Sequence, residues 1–249
     1  MPAHLLRRLT GRDRTLRANR QLGCLLAFVA GAVNAGGFLA VQRYTSHMTG
    51  IVSSIADHLV LGAPWLALAA LISLSAFMAG AVTTTLLILW ARRRAMHSEY
   101  ALSLMLEAAL LLVFGLLGAN LHLWTELLVP GTVLLLCFIM GLQNAVVTKI
   151  SNAEIRTTHM TGVVTDLSVE LGRMLYGKGE PASASAAPVP VNRERLWVLA
   201  TLLAMFLTGS LLGALAFQHI GFAATVPIAV LLMVIAVIPV LDDLRLSAR

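Results

Sequence analysis

Apolar residues run along this chain in long blocks broken by short polar stretches. Six blocks, at 21–41, 65–90, 101–119, 128–149, 196–217 and 222–241, are long enough for a membrane-crossing helix, which needs about 20 residues. Two other stretches, HMTGIVSSIADHLVLGA at 47–63 and HMTGVVTDLSVELGRMLYG at 159–177, each contain a modestly apolar helix with acids inside it. A helix of about 15 residues reaches about 22 Å, short of a hydrocarbon core near 30 Å. The pattern therefore predicts an all-α membrane protein. It has six transmembrane helices plus two short helices that are re-entrant or interfacial.

Comparing the chain with itself reveals a repeat. TSHMTG at 45–50 and TTHMTG at 157–162 agree at five of six positions. Upstream, GAVNA (31–35) matches GLQNA (141–145), and downstream FMAG (77–80) resembles FLTG (206–209). Three matches in one order point to duplication. The halves are 21–119 and 128–241, each reading span, polar motif, short helix, span, span. An odd number of spans per copy turns the second copy upside down. Inverted repeats of this kind build many secondary transporters and channels, with the substrate site near the pseudo-two-fold axis.

Charge sets the orientation. With six spans, 17 of the 18 Lys and Arg fall on one side, and only Arg43 on the other. The positive-inside rule makes that side cytoplasmic, with both termini in the cytoplasm. Were both short helices to cross, Arg92, Arg93 and Arg94 would lie outside. The tail at 1–20 carries six arginines and one acid and reads as an orientation signal near anionic lipid. The net charge of +6 thus reflects topology, and no nucleic-acid partner is expected. The stretch at 177–194, rich in Pro, Ala and Ser, reads as a flexible cytoplasmic linker.

Composition agrees. Hydrophobic residues make up 58% and charged residues 12%, against roughly 45–50% and 25% in soluble domains. This excludes a disordered chain, a disulfide scaffold and an ordinary soluble enzyme. Cys24 and Cys137 sit in apolar runs and read as buried free thiols. The chain has no HExxH, no G-x-S-x-G and no Walker A loop, so no enzyme activity, metal or cofactor is expected.

The segments GAVNAGGF (31–38), HMTG (47–50), GLQNA (141–145) and RTTHMTG (156–162) resemble the YoaK family of bacterial inner-membrane proteins. The likeness extends from about residue 20 to about 245 and implies a fold and an inner-membrane location but no substrate. The resemblance implies Asp, as in many members of that family, where this chain has Asn34, and Asn where it has Ile51, so no proton-carrying role carries over to Asn34.

Ionisable groups inside a membrane cost about 2.5–3.5 kcal/mol on insertion scales, so those present are candidates for function. The candidate solute or ion pathway comprises Asn34, His47, Thr49, Gly50 and Asp57 from the first half. Asn144, Arg156, Thr158, His159, Thr161, Gly162, Asp166 and Glu170 come from the second. By the repeat register, Ser54 matches Asp166 and His58 matches Glu170. Gln143 and Asn144 are expected to face the short helix of their own repeat. Glu107 is expected to pair with an arginine of 92–94 at the interface. Gly209 and Gly213 form a small-xxx-small pair suited to close helix packing; for Gly36 and Gly37 the alternative to packing is a break in the first span.

The plainer account of TSHMTG and TTHMTG is helix capping, since Thr, Ser and Gly satisfy free N–H groups at helix starts. It explains the residue types but not why His-Met-Thr-Gly is kept in both halves. A transporter or channel for a small solute or ion is therefore the leading expectation. The alternative is a non-transporting membrane assembly or lipid-interacting protein. Beyond the lipid bilayer and the solute, a second copy is a possible partner.

Overall fold

The computed structural model describes residues 15–41, 44–120, 125–151, 157–176 and 191–247, and every regular element among them is helical. In chain order these are α1 (Leu16–Val41), α2 (Met48–Val60), α3 (Pro64–Arg93), α4 (Ala101–Ala119) and α5 (Thr125–Ile150), then α6 (Met160–Tyr176), α7 (Arg193–Ile220), a 3-10 turn (Gly221–Ala224) and α8 (Thr225–Ser247). Five stretches are long and apolar enough to cross a membrane: 16–39, 64–93, 101–119, 129–150 and a 51-residue run at 193–243. The last holds α7 and α8, which Gly221 separates by adopting a positive φ of 56°, a conformation glycine takes without the Cβ penalty. The chain is a multi-pass, all-α membrane protein.

Long helices are explained by what the bilayer forbids. Without water, backbone N–H and C=O groups must pair within the chain, and continuous helices do this. Packing between the helices then rests on close contact, because lipid tails are as apolar as leucine. Glycine supplies the contact in two places. A methyl group on Gly31 would stand 2.1 Å from the carbonyl oxygen of Phe206, and one on Gly209 would stand 2.0 Å from that of Phe28. These join α1 to α7. Likewise, a methyl group on Gly80 would stand 2.1 Å from the Phe138 carbonyl oxygen, and one on Gly141 would stand 2.0 Å from that of Phe77, joining α3 to α5. Gly31 and Gly141 are matched positions of the repeat, as are Phe77 with Phe206 and Gly80 with Gly209. The two contacts thus use sequence-matched residues, one between α1 and α7 and one between α5 and α3.

Helix directions follow from the pairs. α1 and α7 run parallel: Arg20 meets Glu194 near their starts and Gly36 meets Phe217 near their ends. α1 opposes α5, since Gly37 lies on Leu136 while Gln143 reaches back to Leu26. α4 opposes α8, with Gly118 against Phe222 and the backbone N–H of Ser98 donating to Asp243. The core between them is apolar and fully buried, with Leu26, Leu104, Ile139, Leu142 and Leu232 at 0% exposure.

The alternative of a break in the first span is corrected here: α1 is unbroken through Gly36 and Gly37, and Gly36 makes room for the Phe217 ring. Leu16 begins α1, so Arg17 and Arg20 of the basic tail stand in its first turns. At the end of the expected linker, Asn192 caps α7, accepting from the Arg195 N–H at 2.9 Å. Residues 1–14 and 177–190 lie outside the described residues. Cys24 and Cys137 are free thiols, the first half-buried and the second buried.

Candidate functional site

The two His-Met-Thr-Gly segments are built alike. Ser46 Oγ donates to Asn34 Oδ1 at 2.7 Å, and Thr158 Oγ1 donates to Asn144 Oδ1 at 2.5 Å. Both donors and both acceptors are matched positions of the repeat. Asn34 lies seven residues before the end of α1, and Asn144 six before the end of α5. At 1.5 Å per residue, each asparagine sits about 9–10 Å inside its helix end. After leaving the helix, the chain therefore turns back to that depth before the short helix begins. Thr45 and Thr157, at 2% and 0% exposure, are buried at this return.

The histidine and glycine of each motif act as a unit. A methyl on Gly50 would stand 2.6 Å from His47 Nδ1, and one on Gly162 would stand 2.7 Å from His159 Nδ1. Each imidazole is folded over its own first helical turn, and glycine leaves the space. Capping does not account for this at α2, where His47 holds the cap position and makes no side-chain cap hydrogen bond. Thr49 and Thr161 are exposed. The paired geometry explains why His and Gly recur three residues apart, which capping preference left open.

Below their starts the two short helices diverge. On α6, Asp166 pairs with Arg195 at 2.9 Å. Glu170 is 1% exposed, accepts from Arg173 at 3.0 Å and from the Asn192 N–H at 3.3 Å, and lies 4.0 Å from Arg195. These acids fasten α6 to the start of α7, where the unpaired N–H groups and the helix dipole favour negative charge. On α2, Ser54 turns back to the Ile51 carbonyl, Asp57 is exposed, and His58 Nδ1 is buried without a partner among the described residues. A cleft of about 510 Å³ beside the acid cluster is lined by Asn19, Arg20, Ser151, Asn192, Glu194 and Arg195, with Leu16, Val198, Leu199 and Leu202.

The sequence placed Glu107 wrongly. Arg92 pairs with Glu99 at 2.8 Å and donates to Tyr100, whereas Glu107 is buried on α4 with neither oxygen bonded among the described residues. Glu99 lies just before α4 and reaches Arg92 first. Gln143 also departs from expectation. It turns from its repeat's short helix to the Leu26 carbonyl on α1, at 3.4 Å. Arg156 and Arg43 lie outside the described residues.

A family model described as "Protein of unknown function (DUF1275)" matches residues 22–238. The chain belongs to this family. No curated protein matches the chain, and no solved structure does. The matched region takes in both asparagines, both His-Met-Thr-Gly motifs and the acids of α6. Among the described residues, no three of His, Cys, Asp and Glu cluster as metal ligands.

The structure thus brings the sequence candidates together in three groups. One holds Asn34, His47 and Gly50; a second holds Asn144, Thr158, His159 and Gly162; the third is the Asp166, Glu170 and Arg195 cluster. Ser46, Thr45 and Thr157 belong with the first two and were missed as individuals, although they stand inside the matched hexapeptides. Arg195 was missed because the sequence put it at the edge of a linker.

Proposed function

We propose that this protein is an inner-membrane transporter or channel for a small solute or ion, built from two inverted three-span repeats with both termini cytoplasmic. Helix directions support the span count. If α2 alone crossed, or α2 and α6 both, α1 and α5 would run the same way; they oppose. If α6 alone crossed, α4 and α8 would run the same way; they also oppose. These directions support the reading with six crossings, in which α2 and α6 return to the side they left. The matched first helices, α1 and α5, and the matched third helices, α4 and α8, then point in opposite directions, as inverted copies must.

The observation that carries the functional reading is the return of the chain to Asn34 and to Asn144. Two residues before each short helix, Ser46 and Thr158 bond to asparagines about 9–10 Å inside the end of the preceding helix. A helix start carries up to four unpaired N–H groups and partial positive charge. Non-helical backbone at membrane depth is tolerated where it is buried in protein or lines a water-filled cavity. Two such starts, one from each face, suit a polar or anionic group passing between them. The histidines supply ring N–H donors. Asp166 and Glu170 hold the second motif to α7, so movement of α7 would move that motif. The protein is not proposed to be an enzyme.

The test is a thermal-shift screen of small solutes on the purified chain, repeated with His159→Ala and Thr158→Val. A solute that stabilises the parent and not the variants supports the site. Solutes that stabilise all three equally, or none that stabilises the parent, would remove the reading and leave a pair of structural motifs.

A further inference from the structure

We infer that Glu107 is a proton-binding site buried within the helix bundle, separate from the His-Met-Thr-Gly motifs. Its side chain is 1% exposed, and neither carboxyl oxygen has a hydrogen-bond partner among the described residues. One turn earlier on the same face of α4, the Ser103 hydroxyl is also wholly buried and unpaired. The antiparallel register of α4 and α8 runs from Gly118 against Phe222 to Ser98 against Asp243. It brings Glu107 to the level of Leu232, Ile235 and Ala236, all buried and apolar.

An unpaired carboxylate in such surroundings is among the costliest groups a membrane protein can hold. The neutral acid fits the site as drawn. The charged groups on the packed elements lie elsewhere. Arg92 on α3 is held by Glu99, and Arg93 is exposed beside it. Lys149 on α5 is exposed near its end, and the buried Cys137 thiol is the other titratable side chain described there. Asp243 on α8 is held by His97, with Asp242 next to it. None of these bonds to Glu107. The ligand is a proton and not a metal cation, because one carboxyl and one hydroxyl offer too few oxygens to replace a hydration shell, and no metal-ligand cluster is present among the described residues.

The step is simple protonation. When water reaches the site, a carboxylate oxygen takes a proton from hydronium and leaves water; when the site opens again, the O–H bond breaks and the proton returns to water. A carboxyl that does this can couple proton movement to the transport proposed above. The site itself does not depend on that reading.

A hydrophobic carbodiimide tests it, since the reagent reacts with protonated carboxyls in apolar surroundings. The full chain in lipid nanodiscs is treated with dicyclohexylcarbodiimide from about pH 5 to about pH 9, and adducts are mapped by peptide mass spectrometry. The expected result is an adduct on Glu107 whose yield falls by about tenfold per pH unit once the proton is being lost. Glu107→Gln should abolish that adduct and leave the thermal midpoint unchanged or higher. Absence of a Glu107 adduct at every pH, or a yield indifferent to pH, would overturn the inference. Because the readout needs no solute, it is independent of the solute screen.

Discussion

The glycine contacts make the sharpest claim about what holds the bundle together. Replacing Gly209 by alanine puts a carbon 2.0 Å from the Phe28 carbonyl oxygen. A comfortable carbon–oxygen approach is about 3.3 Å or more, so α1 and α7 must part by about 1.3 Å or bend. The obstacle is backbone and cannot rotate away. Overpacking a well-filled interior typically costs about 1–3 kcal/mol, and a backbone clash belongs at the upper end. For a chain of this size that lowers the thermal midpoint by about 5–10 °C. Gly141→Ala should do the same, because the Phe77 carbonyl is equally close.

Two controls come from the same chain. Methyl groups on Gly131 and Gly172 meet nothing within 4 Å. Alanine there removes a helix-propensity penalty of about 1 kcal/mol and should leave stability unchanged or slightly raised. The assay is thermal unfolding in detergent followed by size-exclusion chromatography. If Gly209→Ala and Gly141→Ala melt with the controls, the close helix contacts are not what sets the packing. If one falls and the other does not, the two contacts are not equivalent.

Two further outcomes are expected. Asp166→Asn removes an ion pair between side chains that are about half exposed, 48% and 52%, and should cost under about 1 kcal/mol; Glu170→Ala removes a buried, charge-assisted set of bonds and should cost about 1.5–3 kcal/mol, so equal losses in thermal unfolding would contradict the fastening of α6 to α7. With Cys24 and Cys137 replaced by alanine, a cysteine at Asn120 should label from outside intact cells and one at Tyr176 only after lysis; the reverse pattern would invalidate the six-span orientation.

Much of the fold was legible because the membrane makes backbone pairing and apolar length the governing constraints. The predicted start of the fourth span at 128 and the observed start at Thr125 differ by less than one helical turn. The break between the last two spans was placed at 217–222, and Gly221 makes it. What hydropathy could not show was which helix touches which. FMAG and FLTG stood out as a resemblance, yet nothing local says that Phe77 and Gly80 receive Gly141 and Phe138 from the other copy. Such a contact is encoded in two segments far apart in sequence, and each half reads alone as ordinary close packing.

The site was legible where it repeats and opaque where it does not. The internal sequence matches exposed Asn34, Asn144 and the two His-Met-Thr-Gly segments, and these matched residues share one geometry. The asparagine–hydroxyl bond and the glycine beneath each imidazole are that geometry. Glu107 has no such echo in the repeat. Its sequence neighbours suggested an interfacial ion pair, since Arg92, Arg93 and Arg94 lie one loop away. Glu99 decides the matter by reaching Arg92 at 2.8 Å, leaving Glu107 two helical turns deeper with no cation to meet. A buried carboxyl without a partner is costly enough that packing alone gives no reason to keep it, whereas proton binding does. The residues that have no counterpart in the sequence repeat, Glu107 on α4 and the Asp166–Glu170–Arg195 cluster at the start of α7, therefore call for functional tests as much as the matched ones.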